Sequence, residues 1–170
     1  MKDELWELAP VASGPLMAAD LDDKCFASAN IRWRDAGLCV RVVRGQKMTQ
    51  YEELMDEFAA ALQFPYYFGE NWAAFQECLE DMDWLSGGKG IVIAITHASE
   101  VLSKEPCADL ETLVESFNRA AGVYAQPVTD GEWWHRPAIP FHVILQNETG
   151  VSSDLDPWRR AGAVFASLPT

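Results

Sequence analysis

Nine carboxylates, Glu52, Glu53, Asp56, Glu57, Glu70, Glu77, Glu80, Asp81 and Asp83, fall between Met48 and Gly88, and that stretch holds no Lys or Arg. In its second half the aromatic lead-in Pro65-Tyr66-Tyr67-Phe68-Gly69-Glu70-Asn71 feeds an acidic run ending near Trp84. Two kinds of chemistry use carboxylates at this density. A pair such as Glu77 with Glu80 or Asp81 has the spacing for general acid and base work, but that work needs one member in an apolar pocket. Here each acid sits among other acids on a polar face, so the stretch reads as a binding surface and the chain as no enzyme. Carboxylates on such a surface make charge-assisted, bidentate contacts with the cations of a basic partner.

Other chemistries find less support. His97, His135 and His142 lack metal-ligand spacing. Cys25, Cys39, Cys78 and Cys107 form no C-x-x-C pair and lack the basic neighbours that activate a thiol. Ser86-Gly87-Gly88-Lys89-Gly90 enters a strand and does not lead from a strand into a helix, so it is not a phosphate loop. Trp133 and Trp134 have the type to stack bases, but single-strand binders are basic where this chain is acidic. They read as a cover for one end of a sheet or as a second partner contact. No cofactor and no metal is expected.

The formal net charge is −13 over 170 residues. Such a field repels nucleic acid and anionic membrane and steers basic partners inward. The length fits a single domain, residues 1–170, with a full core. No segment approaches 18 consecutive apolar residues, and Met1-Lys2-Asp3-Glu4-Leu5-Trp6 places acids where a signal peptide needs a basic head. The expectation is a cytoplasmic protein that makes no contact with membrane or nucleic acid.

The elements that must position the acids follow from periodicity. Thr49 with Glu52 has the form of a capping box for a helix running to about Gln63. Tyr51, Leu54, Met55, Phe58, Ala61 and Leu62 make its inner stripe, with Glu53, Asp56, Glu57 and Ala60 outside. Pro65 stops that helix. A second helix gathers Trp72, Phe75, Leu79 and Met82 on one side and Glu70, Ala73, Ala74, Glu77, Glu80 and Asp81 on the other.

Ile91-Val92-Ile93-Ala94-Ile95 reads as a strand buried on both faces. Asp109–Ala121 reads as a helix capped by Gly122, Ala138–Leu145 as the last strand, and Asp156-Pro157 as the start of a short helix. Residues 1–24 show no period and read as a loose lead-in. Cys25–Trp33 alternates in part and, with Gly37 in a turn, pairs as a hairpin with Leu38–Arg44. The sum is α/β with a parallel sheet, extended at one edge by that hairpin.

The run Tyr66-Tyr67-Phe68-Gly69-Glu70-Asn71, continuing through an apolar-rich helix to Cys78-Leu79, resembles the barstar family of intracellular ribonuclease inhibitors. The resemblance covers about Leu38 to Leu145, leaving 1–37 and 146–170 as extensions. It implies a three-stranded parallel sheet flanked by helices and no catalysis. It also implies that the second helix and the loop before it plug a ribonuclease active site, a cationic place because it holds phosphates. By position, Tyr67 is similar to the family's interface tyrosine, Gly69 to the glycine that admits the enzyme's backbone, and Glu77 to the central acid.

Two positions depart from the family: its other helix acid is Ala73 here, and a tryptophan position is Gln76. Glu80 and Asp81, one turn on, are placed to supply the missing charge to a differently shaped partner. The expected partner surface is therefore Tyr67, Gly69, Ala73, Gln76, Glu77, Glu80 and Asp81, and the partner a basic protein, a ribonuclease or nuclease toxin. The alternative is a non-inhibitory adaptor that binds another basic protein through the same helix.

Overall fold

Residues 91–95 alternate between two cores, Ile91, Ile93 and Ile95 facing one and Val92 and Ala94 the other, so this strand needs helices on both sides. A computed structural model of the chain describes residues 14–85, 88–129, 131, 135–147 and 155–167. The strands are β1 (Leu16–Asp20), β2 (Cys39–Arg44), β3 (Ile91–Thr96), β4 (Phe141–Asn147) and β5 (Ala166–Ser167). They form one five-stranded sheet in the order β2-β3-β4-β1-β5, and every pairing is parallel.

This corrects the expectation of a three-stranded sheet with an added N-terminal hairpin. The residues read as a loose lead-in contain β1, which pairs with β4 from Leu16 opposite Val143 to Asp20 opposite Asn147. Cys25–Trp33 is no strand but part of a helix, α1 (Asp23–Asp35). Its buried side chains Phe26, Ala29, Asn30 and Trp33 recur at helical spacing, and the Asp22 carboxylate accepts from the Cys25 N–H at 2.7 Å as N-cap. Gly37 is the helix stop and not a hairpin turn. With φ of 96° it donates to Arg34 O at 2.9 Å while Leu38 N–H reaches Trp33 O at 3.0 Å, the two bonds of a Schellman ending.

Four further helices complete the chain: α2 (Tyr51–Leu62), α3 (Trp72–Glu80), α4 (Cys107–Tyr124) and α5 (Asp156–Arg160). Helix α1 covers one sheet face, packing Phe26, Ala29 and Trp33 with Met17, Val40, Val92, Ala94 and Ile144. Helices α2 to α5 cover the other, where Leu54, Phe58, Phe75, Leu79, Leu113, Phe117 and Trp158 meet Val43, Ile93, Val143 and Leu145. The C-terminal segment belongs to this core: Trp158 is fully buried and its indole N–H donates to Ala98 O at 2.8 Å. Helix α4 runs through Gly122 to Tyr124, because Ala120 and Tyr124 are both buried and favour one more turn.

Helix α2 departs from its expected outline twice. Its N-cap is Gln50, one residue later than Thr49, and the reciprocal acid is Glu53, whose carboxylate accepts from Thr49 N and Oγ1 and from Gln50 N. Glu57, placed outside by periodicity, is buried. Its carboxylate takes Arg44 Nε at 2.8 Å, Arg44 Nη2 at 2.6 Å and Arg44 N at 3.0 Å. The hydrogen bonds from the Arg44 side chain hold the Glu57 carboxyl below the usual glutamate range, against the opposing effect of burial.

Two predictions follow from this packing. A chain beginning at Leu38 lacks β1 and α1, which bares Val40, Val92, Ala94 and Ile144 and opens β4 as a new edge. It should lose cooperative unfolding by circular dichroism and calorimetry, whereas an independent 38–145 core would keep it. Glu57→Gln should destabilise by about 2 kcal/mol, because a buried, charge-assisted set of bonds loses its acceptor. Since the folded pKa lies below the unfolded one, the stabilisation from Glu57 is complete above about pH 4.5 and fades as pH falls through the folded value. Denaturant titrations should therefore show the wild-type advantage over Glu57→Gln at pH 7 shrinking towards pH 3.

Candidate functional site

Helix α3 is built outward from an aromatic floor. Phe75 packs edge-on against Phe58 at 5.1 Å, Phe64 at 5.9 Å and Trp72 at 5.6 Å between ring centroids. Trp72 also meets Tyr51 at 5.5 Å and its indole N–H donates to Asp109 Oδ1 at 3.3 Å. Phe75 and Leu79 are fully buried, so the opposite side of the helix, with Ala73 and Glu77, faces outward. The rotation of the acidic face is thus fixed by the apolar one.

The N-terminus is fixed by Asn71, whose Oδ1 accepts from Ala74 N at 2.9 Å and whose Nδ2 donates to Gly69 O at 3.0 Å. Within Gly69-Glu70-Asn71 the left-handed residue is Glu70, with φ of 49°, and not Gly69. The Tyr51 hydroxyl donates to Glu70 O at 3.2 Å and helps to hold that strained residue. A Cβ on Gly69 would sit 3.0 Å from Asn71 Nδ2, so glycine keeps room for the side chain that ties the loop.

The lead-in presents two tyrosines to solvent. Tyr67 is 72% exposed and Tyr66 99%, and their rings pack edge to face at 5.5 Å. Tyr66 was not singled out by sequence because helical periodicity does not reach into a loop; Pro65, which ends the helical region, was the available signal. Neighbouring Phe64 and Phe68 pack together at 5.0 Å and anchor the loop from beneath.

The seven expected partner residues divide into two groups. Tyr67, Gly69, Ala73, Glu77 and Asp81 are exposed. Ala73, Glu77 and Asp81 stand four residues apart, so they form a row with rises of about 6 Å. Gln76 and Glu80 turn towards α4 instead. Gln76 is buried and its side-chain amide donates to Glu80 Oε1, which in turn lies 3.5 Å from Arg119 Nη2. The structure therefore does not bring Gln76 and Glu80 into the exposed row.

Helix α3 ends at Glu80, and Asp81 is its C-cap, its N–H donating to Glu77 O at 3.0 Å. The chain is held there by Met82 N–H, which donates to the buried Tyr124 hydroxyl at 3.0 Å. Burial pushes the Tyr124 phenol up to about 12, so it stays protonated. Desolvation, together with the neighbouring Asp83 and Glu77 carboxylates, holds Asp81 above the usual aspartate range. Asp83, exposed and near Asp81, joins the site from beyond the helix end. A cationic partner group would relieve this like-charge crowding. Trp84 closes the segment by donating its indole N–H to Leu62 O at 2.9 Å.

Among the described residues no cluster of three or more His, Cys, Asp or Glu is arranged to hold a metal ion, and no helix is long and apolar enough to cross a membrane. His142 is buried on central strand β4. Trp133 and Trp134, read as a sheet cover or a second contact, lie outside the described residues; His135 beside them is exposed.

Comparison with solved structures gives the fold alone. An origin-recognition protein, ORC2 of Aeropyrum pernix in ADPNP and ADP complexes, aligns with a TM-score of 0.55 and 11% identity over 97% of this chain and 43% of that one. A Walker-type ATPase of Pyrococcus abyssi aligns with a TM-score of 0.51 and 11% identity over 94% of this chain and 49% of the other. This chain thus spans half or less of their length, and what they share with it is a parallel sheet wider than three strands, flanked by helices. No curated protein matches by sequence. The family model described as Barstar (barnase inhibitor) matches residues 38–146, which contain β2, α2, α3, β3, α4 and β4. By that match over more than half its length, the chain belongs to the barstar family.

Proposed function

We propose that the chain is a cytoplasmic protein inhibitor of a ribonuclease or related nuclease toxin, and that it blocks a cationic active site with α3 and the tyrosine loop before it. The observation that carries this reading is the exposed row Ala73, Glu77 and Asp81 beside Tyr66 and Tyr67, on a stretch without a single Lys or Arg. A row of carboxylates next to aromatic anchors matches what a phosphate-binding site offers: guanidinium and ammonium groups on a concave wall. The small side chain of Ala73 leaves the row low at one end, where a convex loop of the partner can approach. Family membership supports the same assignment, because the family is that of a barnase inhibitor.

Catalysis has little to work with in this row. Glu77 and Asp81 are exposed, whereas a general acid needs an apolar pocket. Nor does likeness to ATPases supply nucleotide chemistry. The sequence holds no G-x-x-x-x-G-K-[ST] run, and the junction from β1 into α1 carries Asp20, Asp22 and Asp23 where a phosphate loop needs backbone N–H groups and a lysine.

The deciding experiment is capture of the partner from the source cell with the purified chain, followed by titration of its nuclease activity. Complete loss of RNA cleavage at one-to-one stoichiometry is expected. A captured partner that keeps full activity would establish the adaptor reading instead. Glu77→Lys should weaken the complex by at least ~2 kcal/mol without lowering Tm, while Gln76→Ala, which breaks the buried bond to Glu80, should lower stability more than affinity. Raising salt from low to physiological should slow association much more than it speeds dissociation in stopped-flow measurements; a flat association rate would remove the net charge from recognition.

A further inference from the structure

Helix α1 alone covers one face of the sheet, and beside it lies a groove of about 460 Å³. Val42 and Arg44 of β2, Thr96 at the end of β3 and Gln146 of β4 form its floor; Asp23, Phe26, Asn30, Ile31 and Arg34 of α1 form its wall. The groove therefore sits at the carboxyl ends of parallel strands, the place where open α/β sheets hold ligands. Its volume falls within the usual range for small-molecule sites. It is separated from the acidic row by the sheet itself, since α3 packs on the opposite face.

Three features give the groove its chemistry. Phe26, Ile31 and Val42 supply an apolar bed, and Ile31 is 57% exposed. Its charged lining is Arg34, Arg44 and Asp23, and the Asp23 carboxylate accepts from the Gln146 amide. Arg34 is exposed on the wall, and Arg44 is held in place by Glu57 through two of its nitrogens. Asn30 and Gln146 line the groove, are almost fully buried, and keep their amide oxygens without a hydrogen-bond partner among the described residues. The Gln146 amide orientation is set by its NH2, which donates to Leu21 O at 3.2 Å and Asp23 Oδ1 at 2.8 Å. Buried acceptors without donors are costly, and folds that retain them usually have a use for them.

We propose that this groove binds a small organic anion, an apolar body carrying a carboxylate or phosphate that meets Arg34, with a hydrogen-bond donor supplied to the Asn30 and Gln146 side. The site is independent of the inhibitor surface. The test uses the full chain, ¹⁵N-labelled, titrated with phenylacetate and with phenyl phosphate, and with neutral phenylacetamide as control. Saturable shifts confined to α1 and the ends of β2, β3 and β4 are expected for at least one anion, with the amide at least tenfold weaker. The tighter anion identifies the head group.

Arg34→Gln should weaken that binding at least tenfold without changing Tm. Asn30→Leu should raise Tm, because it removes an unpartnered buried oxygen, and should also weaken binding. Glu77→Lys, on the other face, should leave binding unchanged. Absence of saturable shifts for both anions, or shifts that persist undiminished in Arg34→Gln, would overturn the proposal. A fall in Tm for Asn30→Leu would make Asn30 a structural residue and remove it from the site.

Discussion

Everything in this molecule depends on the burial of β3 and β4 on both faces. A parallel strand with no solvent side must be covered twice, and its neighbours must be brought in by crossovers that carry the covering helices with them. The segment 38–146 supplies β2, β3 and β4 and, between them, α2, α3 and α4, all on one face. The opposite face of Val40, Val92, Ala94 and Ile144 is covered by α1, which precedes that segment. The same step inserts β1 beside β4, and β5 closes against β1. What a family-level view treats as extensions is thus half of the burial that the central strands require.

That division of labour places the candidate surface. Because α2 and α3 share one face with α4, the Phe58–Phe75–Phe64 cluster forms beneath them and sets the rotation of α3. The polar side then divides by neighbour and not by charge: Gln76 and Glu80 meet α4 and Arg119, whereas Glu77 and Asp81 meet solvent. Partial desolvation first, and then the neighbouring Asp83 and Glu77 carboxylates, hold the Asp81 carboxyl above the usual aspartate range.

Elements with strong local patterns were legible in the sequence. The stripe of Leu54, Met55, Phe58 and Leu62 gave α2, the uninterrupted Ile91–Ile95 run gave β3, and the motif from Tyr66 to Leu79 gave the family and the acidic face. Strand β1 was not legible: Leu16-Met17-Ala18-Ala19-Asp20 is short, and its partner β4 lies more than 120 residues away. Helix α1 offered Phe26 and Trp33 as strong inward markers, but the large apolar Ile31 points outward, and two of its buried positions are weakly apolar or polar, Ala29 and Asn30. Glu57 and Gln76 show a different limit. A helical wheel reports which face a residue is on, but not that Arg44 folds back over that face or that α4 covers it.

The net charge of −13 conceals a partition. Residues 24–47 hold six cations and one acid, and residues 48–88 hold nine acids and no cation. Helix α1 carries Lys24, Arg32 and Arg34 with Asp23 and Asp35, and Arg41 and Arg44 reach Gln63 and Glu57, whereas α2 and α3, on the other face of the sheet, carry six acids and no cation. The monopole alone would attract a basic partner to any side of the molecule. The uneven distribution of carboxylates turns the acid-rich face towards it, so orientation is favoured before contact. Under the proposed function a cationic enzyme is drawn to Glu77 and Asp81, while the groove beside α1 offers Arg34 on the other face of the sheet. Burial of the sheet on both faces is therefore what keeps the proposed inhibitor surface and the proposed groove apart.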